Sequence, residues 1–189
     1  MDNKKGGIFM GKEALVIIDV QEAVVANAYK REEKINNMNR AIHLAREKQI
    51  PIVYVQHEYP EGPMKRGAEG WQLHSDLEKP LEQDAIIFKT VPNAFVHTSL
   101  KRTLDDIQAD HLFICGAQTD YCVDCTSRGA FDFGYNVTLI SDAHTTCDNE
   151  HLTAQQIIDH THHTLTNFWS ETNSIDLKSS GDLDWSFVK

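Results

Sequence analysis

Apolar and polar positions along this 189-residue chain fall into two patterns. Near-continuous apolar runs at "ALVIID" (14–19), "IPIVYVQH" (50–57), "AIIFK" (85–89), "HLFICGA" (111–117) and "NVTLISDA" (136–143) read as strands buried on both faces. Between them, steps of three and four place Ile35, Met38, Ile42 and Ala45 on one face of a helix over about 31–49. The same spacing puts Leu100, Leu104 and Ile107 on a helix over 98–108, with Thr98 as its cap. Tyr121–Phe133 reads as a helix ended by Gly134, and Thr153–Phe168 as a last amphipathic one. Residues 174–177 form a short final strand. Strands alternating with helices in this way predict a three-layer α/β/α Rossmann-like domain with a mostly parallel, roughly six-stranded sheet.

One stretch breaks the pattern. Glu58–Asp84 carries Pro60, Gly62, Pro63, Gly67 and Gly70 ahead of Trp71, with little periodicity. A loop that long in a domain of this size is expected to be a lid or a pocket wall. Residues 1–12 read as an N-terminal extension, 13–177 as the domain, and 178–189 as a loosely held tail whose Trp185 and Phe187 are candidate contacts in a homo-oligomer.

Composition narrows the function. The formal charge of −10 and the lack of a basic face exclude nucleic acid and disfavour an anionic membrane surface. No apolar run reaches membrane-spanning length. Four cysteines are too few for a disulfide scaffold, so a reducing cytoplasm is the expected location. Small neutral or cationic ligands remain.

Ligands of open α/β sheets gather at the carboxyl ends of the strands. Three such ends carry reactive groups here: Asp19, Lys89 and, just past the fourth strand, Cys122. A cysteine at a helix N-terminus beside an ammonium is expected to have a lowered thiol pKa, and a carboxylate can take its proton. Other readings of the same residues stay open. Cys122 and Cys125 form C-x-x-C after a strand, as in a thiol redox protein. A non-catalytic oligomeric binding protein would also fit. Cys115 reads as core and Cys147 as a loop thiol, while His160 and His163 of "HTHH" read as an exposed helix stripe.

The blocks "ALVIIDVQ" (14–21), "FKTVPNAF" (88–95) and "GAQTDYCVDCTSRGAFDFGYNV" (116–137), with "SDAHTT" (141–146), resemble those of the isochorismatase-like cysteine hydrolases, which include nicotinamidases and N-carbamoylsarcosine amidohydrolases. The resemblance implies a catalytic triad of Asp19 as base, Lys89 as electrostatic organiser and Cys122 as nucleophile. It also implies a cis peptide at Ala117–Gln118 and an oxyanion hole from the backbone N–H groups of Gln118 and Cys122. The reaction implied is hydrolysis of a small amide or carbamoyl compound through a thioester. The Asp-x-His metal pair of nicotinamidases is absent from "HEYPEGPMKRGAEGWQLHSD" (57–76), so no metal or other cofactor is expected. Gln21, His57, Trp71, Phe95 and Tyr121 are the expected pocket residues. Lys65, Arg66 and Arg128 are candidates for a substrate carboxylate clamp.

Overall fold

The apolar runs assemble as one six-stranded sheet in the computed structural model, which describes residues 12–185. In chain order the elements are β1 (Lys12–Ile18), α1 (Glu22–Val25), α2 (Arg31–Glu47), β2 (Ile52–His57), β3 (Ala85–Lys89), α3 (Leu100–Asp106), β4 (Ala109–Ala117), α4 (Asp124–Asp132), β5 (Asn136–Thr145), α5 (Ala154–Leu165) and β6 (Ile175–Lys178). The spatial order is β3-β2-β1-β4-β5-β6, and each neighbouring pair is parallel. The expected three-layer fold is therefore present.

Alternate side chains of each strand enter opposite layers, which is why the strands are apolar without a break. Leu15, Ile17, Tyr54, Phe113 and Cys115 pack on Ile35, Met38 and Ile42 of α2. Ala14, Val16, Ile18, Val55 and Ile114 pack on the other side against Leu100, Leu104, Val123, Ala130 and Leu165. Each fully buried Leu, Ile or Val is worth about 1.5–3 kcal/mol relative to exposure. Cys115 is a core residue, as its place in the strand predicts.

The chain order reverses between β1 and β4, and a crevice opens at the carboxyl ends of strands where such a switch occurs. Here the two strands come unusually close. Gly116 has φ +125°, and a Cβ at that position would lie 2.0 Å from the Ile18 carbonyl oxygen, so only glycine fits. Register then aligns the site: Ile18 pairs with Val55 and Gly116, and His57 with Lys89.

Two expectations need correction. The helix expected over 121–133 begins as a π-type turn, Thr119–Val123, before α4 takes over. Its defining bond is Val123 N–H to the Gln118 carbonyl. The tail is not loosely held as far as it is described. Ser180 donates from backbone and hydroxyl to Asp142, and Leu183 and Trp185 are buried. Trp185 meets Phe113 edge-on at 5.0 Å, so its ring covers its own core and is not a partner contact. Phe187 lies outside the described residues.

Candidate active site

Asp19 directly follows β1 and is held in the left-handed region at φ 49°. Few residues other than glycine tolerate that conformation, aspartate and asparagine being among them, and such strain concentrates at functional sites. Lys89 is the last residue of β3 and is 2 % exposed; Asp19 is 1 % exposed. The Lys89 ammonium is enclosed by three side chains: it pairs with the Asp19 carboxyl and hydrogen-bonds His57 and Cys122. Nζ stands 2.7 Å from Asp19 Oδ2, 2.9 Å from His57 Nδ1 and 3.1 Å from Cys122 Sγ. The structure thus brings Asp19, Lys89 and Cys122 together and adds His57 to them.

The electrostatics differ from the expected lowered thiol. Burial, and next the Asp19 charge, push the Cys122 thiol up to about 12 against the pull of Lys89. Burial also raises the Asp19 carboxyl, opposed chiefly by Lys89. One ammonium balances one negative charge, so carboxyl and thiol share a single proton and do not both ionise. Burial and the Lys89 charge hold His57 down at about 4, which leaves its ring neutral.

The turn bearing Cys122 is braced from beneath. Thr119 Oγ1 bonds His144 Nδ1 at 2.8 Å, and His144 Nε2 bonds His162 Nε2 at 2.7 Å. Thr146 donates to Asp120 at 2.6 Å. "SDAHTT" therefore works as a prop for the turn. Of the α5 histidines, His162 faces inward, and His160 and His163 are exposed. On the opposite flank Asn93 lies against Gly129, and Ala94 N–H bonds Thr126 Oγ1, which fixes the loop after Lys89 onto α4. The Ala117–Gln118 peptide preceding the turn is cis.

A cavity of about 260 Å³ opens onto the cluster, lined by Asp19, Val24, His57, Tyr59, Met64, Pro92, Gln118, Tyr121 and Cys122. Three expected pocket residues lie elsewhere. Gln21 is a buried clamp that donates to the His57 and Trp71 carbonyls and accepts from His57 N–H. Trp71 stacks on Phe88, with ring centroids 5.7 Å apart. Phe95 packs against Phe133 and Tyr135. The real walls Tyr59 and Met64 come from the long loop, so the loop was legible as a wall although its contact residues were not. Of the clamp candidates, Arg66 pairs with Glu58 and covers Phe88, Arg128 pairs with Asp124, and Lys65 is exposed on the long loop next to Met64.

Asp19, His57 and Cys122 each offer a ligand atom within 4.8 Å of the others. The Lys89 ammonium already contacts all three of those side chains, so a metal ion would have to displace a buried cation. This donor set does not fit a metal. His74 and Asp76 of the long loop are not among the cavity walls.

The family model of the isochorismatase domain matches residues 13–166. The chain belongs to the isochorismatase family. It is 34% identical over 140 residues to the isochorismatase family protein YrdC of Bacillus subtilis, covering 70% of this chain and 73% of that one. Against a streptothricin hydrolase of Streptomyces noursei the identity is 32% over 140 residues, 72% of this chain and 50% of that longer protein. A solved isochorismatase family protein superposes with a TM-score of 0.77 at 34% identity, covering 86% of this chain and 96% of that one. The N-carbamoylsarcosine amidase of Thermoplasma acidophilum shares the fold, with TM-score 0.75 at 21% identity over 92% of this chain and 99% of that one. Membership makes this isochorismatase-family chain a hydrolase. Among the described residues no helix is long and apolar enough to cross a membrane.

Proposed function

We propose that this isochorismatase-family hydrolase cleaves the C–N bond of a small amide or carbamoyl compound, with Cys122 as nucleophile and no metal. The observation that carries the reading is the Cys122 thiol at the cavity, 3.1 Å from an ammonium that also holds the Asp19 carboxylate. Relatives bearing the names of amide hydrolases, the streptothricin hydrolase and a nicotinamidase of Arabidopsis thaliana, support the bond type.

Because the thiol rests neutral, attack and proton transfer are coupled. As Sγ adds to the carbonyl carbon, its proton passes to Asp19, and the Lys89 ammonium stays beside the pair to compensate the charge. The carbonyl oxygen becomes an oxyanion, for which the Gln118 and Cys122 backbone N–H groups are the proposed donors. The C–N bond then breaks, and Asp19 returns the proton to the departing nitrogen, releasing ammonia or an amine. Water attacks the thioester while Asp19 takes one of its protons. Cleavage of the C–S bond frees the acid, and Asp19 reprotonates the sulfur.

The redox alternative gains nothing from the geometry. All four cysteines are free thiols, and burial and Asp124 raise the Cys125 thiol as well, so neither member of the C-x-x-C pair is poised as thiolate. Release of ammonia or amine from a panel of small amides, compared between wild type and Cys122→Ala, tests the proposal. Turnover in wild type and none in the variant is expected; turnover surviving in the variant sinks it.

A further inference from the structure

Two histidines in contact with each other lie under the nucleophile and take no part in the proposed chemistry. The β4–β5 register pairs Ile114 with Leu139 but Gly116 with His144, so β5 bulges between those points and brings the His144 ring beneath the turn Thr119–Val123. Both ring nitrogens of His144 are committed there. Nδ1 lies 2.8 Å from Thr119 Oγ1, and Nε2 lies 2.7 Å from His162 Nε2, with the two rings at 77°. Thr119 and His144 are fully buried, and His162 of α5 is half-buried.

A neutral imidazole has one N–H and one acceptor nitrogen, so two proton orders satisfy the ring contacts. In the first, the Thr119 hydroxyl donates to His144 Nδ1, and His144 Nε2–H donates to His162 Nε2. In the second, His162 Nε2–H donates to His144 Nε2, and His144 Nδ1–H donates to Thr119 Oγ1. The second order leaves the Thr119 hydroxyl hydrogen without an acceptor, because His144 is that hydroxyl's only hydrogen-bond partner among the described residues and the side chain is sealed from solvent. An unpaired buried hydroxyl is costly, so the first order is the resting one.

A proton on His162 reverses the order. The imidazolium has no lone pair and only donates, which forces the second order and unpairs the hydroxyl at the start of the turn that carries Cys122. Two imidazolium rings would aim hydrogens at each other across 2.7 Å, so the pair takes up one proton and no more. Neighbouring charges set where it does so. Burial holds His162 below the ordinary histidine range, with Asp159 of α5 opposing and Lys34 of α2 assisting. Lys34 also faces His144 and is itself faced by Glu33 and Asp142, while Asp120 beside Thr119 accepts from Thr146.

We infer that His144 and His162 are positioning residues for the nucleophile, holding the Cys122 turn through one proton order, and that a proton on His162 slackens the turn and slows Cys122. The inference rests on the reading of Cys122 as the nucleophile. The turn keeps Cys122 Sγ 3.1 Å from Lys89 Nζ, and a slackened turn gives up that ammonium's help to the developing thiolate.

The test begins with imidazole nitrogen NMR of the wild-type protein at about pH 7.5, where the proton is expected on Nε2 of His144 and on Nδ1 of His162. As pH falls toward about 5.5, His162 should gain its second proton, the His144 proton should move to Nδ1, and the Cys122 backbone amide shift should follow the same midpoint. His162→Gln gives His144 an acceptor that does not titrate. Alkylation of Cys122 by iodoacetamide, read by peptide mass spectrometry, reports the consequence. Below that midpoint the wild-type rate should fall about fivefold further than the rate in His162→Gln, the ratio that about 1 kcal/mol for one unpaired hydroxyl supplies. A resting proton on Nδ1 of His144 overturns the inference, as does a His162 ring that stays neutral until the protein unfolds. So does a Cys122 amide titration that survives in His162→Gln, since Asp19 then causes it, or a rate ratio that is the same at about pH 8 and about pH 5.5. The nitrogen spectra need no variant, so they decide the matter even if His162→Gln fails to fold. None of these readouts involves turnover: their failure leaves the Cys122→Ala comparison standing, and its failure leaves the proton order still measurable.

Discussion

Replacing Lys89 by methionine keeps most of the side chain's length and deletes one charge. Asp19 is then left buried without its partner 2.7 Å away. At an effective dielectric of about 20, the attraction across that distance is about 6 kcal/mol. Part of it offsets the desolvation of the ammonium, and removing one member of a buried pair costs about 3–5 kcal/mol in practice. The penalty has a pH signature. The Asp19 carboxyl is already raised by burial, opposed by Lys89, and rises further when Lys89 is gone. A folded-state pKa above the unfolded value means that the folded state binds more protons in that window, so stability falls as pH rises through it. The difference between wild type and Lys89→Met should therefore widen with pH above the wild-type Asp19 pKa, by up to about 1.4 kcal/mol per unit. Urea unfolding at several pH values from about 5 to 8 measures it. The added change Asp19→Asn should remove both the pH dependence and much of the loss. A pH-independent difference below about 1 kcal/mol would refute the buried pair.

Other consequences follow from single contacts. Gly116→Ala should destabilise by more than about 3 kcal/mol, the upper end of overpacking, because its Cβ would meet the Ile18 backbone at a positive φ; a melt within a degree or two of wild type would contradict that close approach. Trp185→Ala should cost about 3–5 kcal/mol, since the ring covers Phe113, whereas a negligible cost would return the tail to a loose segment. Burial, then His162 and Lys34, hold His144 well below the ordinary histidine range. The unfolded state then binds the extra proton below about pH 6.5, so stability falls with decreasing pH in that window by up to about 1.4 kcal/mol per unit. His144→Gln should flatten the acid limb of the stability profile, and an unaltered slope would show that this histidine is not held neutral by the fold.

Much of this protein was legible in its sequence, and the reason is period. Strands buried on both faces must be apolar throughout, and α2 must show its stripe, so "ALVIID", "HLFICGA" and Ile35–Ala45 announce the layered fold directly. Strand ends mark the site for the same reason: Asp19, Lys89 and Cys122 are polar groups where an apolar run stops. What the chain does not carry locally is the distance between those ends. His57 looked like one more pocket residue until the β2–β3 register set it beside Lys89. Trp71 and Phe95 looked like walls, and packing against Phe88 and Tyr135 took them away from the cavity. The tail showed two aromatics in a polar setting, and only the tertiary fold lays Trp185 on Phe113. The acid–base state of Cys122 was the least readable of all. A lysine and a helix start argue for thiolate one residue at a time, but burial and a carboxylate sharing one cation decide otherwise. Burial and pairwise charge depend on segments remote in sequence, so the residue types came from the chain and their chemistry from the fold.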